Sequence, residues 1–140
     1  MRQWAYNPDS GGVKIPAAVQ ARITERVNRY AQANYQGRYT RLDIRFRGAL
    51  CYIDAYVEPA QPNAALLKVR GETRDAYLAL MRNTPLHLCR LRYRGDEEAW
   101  SLAFYTYSHE RYELACFPSG EFHGTVEAAF DVSAVYLGGE

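Results

Sequence analysis

The chain has 140 residues, of which 48% are hydrophobic and 14% aromatic, including 12 Tyr, 5 Phe and 2 Trp, so it has the material for a packed core and reads as a folded chain rather than a disordered one. No apolar run reaches the roughly 18 residues needed to span a bilayer, and MRQWAYNPDSGGVKIP lacks the apolar stretch of a signal peptide, which together imply a cytosolic protein of bacterial type with no membrane attachment. Net charge is +1 but unevenly spread: residues 1–67 hold nine basic and five acidic groups, residues 68–94 seven and two, and residues 95–140 one and nine, so the acidic third is expected to fold against the basic remainder.

In chain order, residues 1–14 read as an extended arm ending in the NPDSGG turn. Pro16 suits a first helical position, and Ile15, Val19, Ile23, Val27, Tyr30, Ala31 and Asn34 recur at helical spacing, which predicts a helix over 16–36 stopped by Gly37. The period then becomes two. Leu42, Ile44 and Phe46 alternate with Arg41, Asp43, Arg45 and Arg47, and Cys51, Ile53, Ala55 and Val57 with Tyr52, Asp54, Tyr56 and Glu58. That is a hairpin turning at Gly48, and with Arg47 and Gly48 as the loop it sets Leu42 opposite Ile53 and Arg41 opposite Asp54.

EPAQPNAALLKVRG, with its two prolines, reads as a connection, and Glu72 to Asn83 as a second helix carrying Ala76, Tyr77, Leu80 and Met81 on one side. Strands follow over 86–94 and 99–107. A loop of Gly95 to Glu98 pairs Tyr93 with Trp100, Leu91 with Leu102 and Cys89 with Phe104, and puts His87 on the core face beside Cys89. A fifth strand over 111–117, the loop PSGEFHGT and a last helix over 125–137 complete an α+β domain spanning 1–140, in the order α-β-β-α-β-β-β-α around a five-stranded antiparallel sheet of a hairpin and a three-stranded meander. Ile44, Ile53, Leu91, Leu102 and Phe104 are its expected core. This order resembles that of roadblock-type and profilin-like domains, and more loosely that of secretion chaperones. The resemblance implies a topology and carries no site residues.

Two near-copies, RFRG at 45–48 and RYRG at 92–95, each close a hairpin, which marks them as a paired structural device. No phosphate-loop, dinucleotide, nucleophile-elbow or zinc-protease motif occurs, which favours a non-enzymatic role with no cofactor. Cys51, Cys89 and Cys116 show no CxxC spacing and are expected as buried, reduced thiols. His87, Cys89, Cys116 and His123 are short of a metal shell if His87 packs in the core, so no metal is expected.

Three candidate sites remain. Asp43 and Asp54 share one side of neighbouring strands, where arginines should keep both ionised and so unfit for acid–base work. In the loop before the last helix, Ser119, Gly120, His123, Gly124 and Thr125 could hold an anion, or Thr125 could simply cap the helix. The largest surface is on the sheet: Arg41, Arg45, Arg47, Tyr52 and Tyr56 from one hairpin, Arg90, Arg92, Arg94, Tyr105 and Tyr107 from the other. Tyr and Arg are the residues of protein interfaces, so this face is expected to bind a protein partner or a second copy; the alternative is nucleic acid on the same face, and the third class a small-molecule or metal-dependent enzyme at residues 117–125.

Overall fold

In the computed structural model, which describes residues 8–137, the chain forms an α+β structure around one antiparallel sheet. The elements are α1 (Ala17–Tyr35), β1 (Arg41–Arg47), β2 (Leu50–Tyr56), α2 (Ala64–Arg70), α3 (Arg74–Arg82), β3 (Leu86–Arg92), β4 (Trp100–Thr106), β5 (Arg111–Ala115), β6 (His123–Gly124) and α4 (Val126–Ser133), with a 3-10 turn at Ala134–Leu137. The strands lie in the order β1-β2-β3-β4-β5, and β6 adds to β4 beyond the end of β5.

Helix α1 follows the sequence pattern. Pro16 is its extended N-cap, and Val19, Ile23, Val27 and Ala31 are buried along one side. They meet Ile53, Leu91, Trp100 and Leu102 of the sheet and Val126, Ala129 and Phe130 of α4 in one core cluster, so α1 and α4 cover the same face. The acidic third does close on the basic part. Arg22 binds Glu97, and Arg26 holds both Glu98 and Glu127 at 2.6 and 2.7 Å. Tyr30 and Tyr35 both donate to Asp131 at 2.6 Å.

The second hairpin has the expected register, with Leu91 opposite Leu102, Cys89 opposite Phe104 and the Tyr93 and Trp100 rings 5.1 Å apart. The first is shifted by two residues. Gly48, at φ 59°, and Ala49 form the loop, so Leu42 faces Ala55, Ile44 faces Ile53 and Asp43 faces Asp54. A two-residue shift keeps every side chain on its expected face.

Four further corrections are physical. The proline-containing connection holds a helix, α2, because Asn63 accepts from the Leu66 amide as N-cap and Gly71 closes the other end in the left-handed conformation; it buries no residue, so no apolar stripe announced it. Cys116 is exposed, since β5 ends at Ala115, while Cys51 and Cys89 are buried as expected and burial pushes both thiols up. Ile44 lies on the edge strand and Phe104 opposite Glu113 near the other edge, and both are half-buried, not inaccessible. Finally, β3 carries an extra residue. Ile53 pairs with Cys89 but its neighbour Asp54 pairs with His87, leaving Leu88 unmatched as a bulge.

Candidate binding face

That bulge reverses His87. Cys89 stays on the helix side, against Ser133 of α4, whereas His87 turns to the opposite, outer face of the sheet. There its Nδ1 lies 3.0 Å from Oδ1 of Asp54. Asp54 is 2% exposed. Its other oxygen accepts from Arg45 at 2.8 Å, and Arg45 also reaches Asp43 at 3.2 Å. One guanidinium therefore bridges two carboxylates that sit directly opposite each other, which removes the like-charge repulsion of that cross-strand pair. Asp43 and Asp54 are held together as expected, by Arg45. Arg41 stacks on Tyr56 instead, 3.7 Å from the ring centroid, and Arg47 is exposed.

Aromatic rings pack round His87. Tyr105 is 4.8 Å and Tyr112 6.4 Å away between centroids, Tyr112 also meets Tyr52 at 5.6 Å and Tyr105 at 5.1 Å, and Tyr107 meets Tyr105 at 4.8 Å. The Tyr107 hydroxyl accepts from the His87 amide at 2.8 Å, which pins the bulged strand to β4's continuation. Burial pushes the Tyr112 phenol well above its ordinary range, and the Asp54 charge pushes it the same way, so it stays a neutral donor. The hydroxyls of Tyr52, Tyr105 and Tyr112 and the Nε2 of His87 have no hydrogen-bond partner among the described residues. All four belong to half-buried residues, and none is a fully buried polar atom without a partner.

The other half of the face is occupied. Arg92 donates to the carbonyls of Gly11 and Asp9 at 2.9 Å, Arg94 to that of Pro8 at 2.6 Å, and Arg90 to the Asp9 carboxylate at 2.7 Å. The arm residues 8–13 thus lie across Arg90, Arg92 and Arg94, and Val13 donates to the Tyr93 carbonyl. A β-carbon on Gly12, at φ 96°, would stand 2.5 Å from that carbonyl oxygen, so only glycine allows the approach. Burial and the neighbouring arginines pull Arg92 below its ordinary value, and the arm's oxygens offset the crowded charge.

In the loop before α4, His123 and Gly124 pair with Ser101 and Trp100 as β6, Ser119 bonds Glu121, and Gly120 turns at φ 88°. Thr125 caps the helix by accepting from Ala128, and Glu127 occupies the first turn. A pocket of about 230 Å³ lies elsewhere, between the α1–β1 loop and Glu58.

The ten sheet residues expected on one surface are divided: Arg90, Arg92 and Arg94 hold the arm, Arg45 holds two carboxylates, Arg41 and Arg47 are exposed beside half-buried Tyr52, Tyr56 and Tyr105, and Tyr107, just past the end of β4, is exposed but packs against Tyr105 and against Tyr136 of the 3-10 turn. His87, expected on the core face, belongs to this face, and so does Tyr112 of β5, which the sequence did not single out. Comparison with protein-family models, curated proteins and solved structures returns no match.

Proposed function

We propose that the chain is a protein-binding domain whose outer sheet face docks a partner through its tyrosine cluster and the exposed arginines of β1. The observation that supports this is the division of the arginines. Three of six donate to the arm and a fourth is shared between Asp43 and Asp54, which leaves Arg41, stacked on Tyr56, and Arg47 as the two that hold no oxygen among the described residues. Two cations give little counterion release, so nucleic acid is the weaker reading. Tyr with Arg on a preformed surface, its hydroxyls available, is the composition that carries energy in protein interfaces. Among the described residues no helix is long and apolar enough to cross a membrane, and the site needs none.

The test is capture of partner proteins from a cell extract by the full chain, and its sedimentation for self-association, each compared with Arg47→Glu/Tyr107→Ala. Arg47 holds neither the core nor the arm, whereas Tyr107 accepts from the His87 amide and packs against Tyr105 and Tyr136, so loss of association with an unchanged melting temperature, seen also in Arg47→Glu alone, supports the reading. Association that persists in the double variant would place the interface elsewhere.

A further inference from the structure

The outer face has a feature that a merely adhesive surface does not need. A buried carboxylate holds one ring nitrogen of a histidine, its second ring nitrogen makes no hydrogen bond among the described residues, and the rings of Tyr105 and Tyr112 pack near the imidazole. Asp54 fixes Nδ1 at 3.0 Å, leaving Nε2 to act outward. We propose that His87, with the hydroxyls of Tyr105 and Tyr112, is the receptor for a carboxylate side chain presented by the protein partner. The inference rests on the docking role of this face and adds the chemistry of what docks.

The charges around His87 decide the sign. From β1 come Asp43 and Arg45, from β2 Asp54, and from β3 Arg90, which is paired with Asp9 of the arm. Arg45 offsets one of the two sheet carboxylates, so with a neutral imidazole the cluster carries one excess negative charge and repels an incoming carboxylate. The imidazolium cancels that excess and turns Nε2 into a charged donor. Tyr112, kept neutral by burial, adds an uncharged donor, as does Tyr105. Arg41 and Arg47, outside the cluster, favour an acidic partner segment over a basic one. Docking and protonation of His87 are therefore linked, and each promotes the other. The rings of Tyr105 and Tyr112 supply apolar walls, which suits an acidic residue flanked by an aromatic or aliphatic one.

The probe is phenylacetate, an aromatic carboxylate, titrated into the full chain while the side-chain nitrogens of His87, His109 and His123 are followed by NMR. We expect a saturable change at His87, at least about tenfold tighter at about pH 5.5 than at about pH 8, because the carboxylate is held by the imidazolium. His109 and His123 serve as internal references and should stay still. His87→Gln should weaken binding by about tenfold or more and abolish its pH dependence, and Tyr112→Phe should weaken it several-fold without abolishing the pH dependence. No saturable change at His87, equal affinity at both pH values, or equal binding of phenylethylamine would overturn the proposal. Partner capture that depends on Arg47 but not on His87 would overturn it too, while leaving the docking reading standing.

Discussion

His87 and Cys89 are two residues apart on β3 and stand on opposite faces of the sheet, because Leu88 is an extra residue between the Ile53 and Asp54 pairings. The single bulge sends the thiol to α4 and the imidazole to Asp54, and so creates the polar cluster of the outer face.

The Arg45–Asp54 contact should behave as a coupled pair. Arg45→Met leaves a buried carboxylate with only His87, and a loss of roughly 1–3 kcal/mol is expected from an uncompensated buried group. In the background of Asp54→Leu the same change should cost markedly less, since there is no longer a charge to compensate. Denaturant unfolding of the four proteins measures this, and additive losses would show that the pair carries no coupling.

Core packing predicts that Leu102→Ala, at a fully buried site between Leu91 and Ala115, lowers stability by roughly 2–5 kcal/mol. A loss below about half a kilocalorie would invert the assignment of sheet faces.

How much of this is visible in the residues follows from range. α1 announces itself because Val19, Ile23, Val27 and Ala31 are local and periodic, and the second hairpin because its cross-strand partners are apolar on both sides. The bulge leaves only a faint sign, two adjacent apolar residues, Leu88 and Cys89, both fully buried in a strand that otherwise alternates. The capture of the arm has none. Arg90, Arg92 and Arg94 read as a basic surface until their donors are found on the Asp9 carboxylate and on arm carbonyls, more than 80 residues away in sequence. The RxRG copies are structural as expected, but by different means, one bridging carboxylates and the other anchoring the arm.

Replacing Gly12 should therefore loosen the arm more than the core. Gly12→Ala meets the Tyr93 carbonyl and a left-handed backbone, a strain of order 1–3 kcal/mol. Limited proteolysis should cut within residues 8–13 much faster in the variant than in the wild type; equal rates would mean the arm is not held by this approach.

Acid should weaken the junction between α1 and the acidic third. The hydrogen bond from Arg26 holds Glu127 below the usual carboxylate range, and that from Arg22 does the same for Glu97. A depressed folded-state value means the stabilisation is present above the unfolded value of about 4.3 and is lost as pH falls below it. The melting-temperature difference between the wild type and Arg26→Met should accordingly shrink between about pH 6 and pH 3. A difference that holds constant to pH of about 3 would remove the ion pairs from the account.

The most direct measurement of the docking role is the set of proteins retained by the immobilised full chain, compared quantitatively with the set retained by Arg47→Glu/Tyr107→Ala at both physiological and about 0.5 M salt, where the screening length falls to a few ångströms. The account predicts at least one protein held by the wild type under both conditions, since apolar burial of the tyrosines survives screening, and reduced about tenfold in the variant. Identical retention by the two proteins, or retention only of nucleic acid that is shed steeply as salt rises, would contradict it.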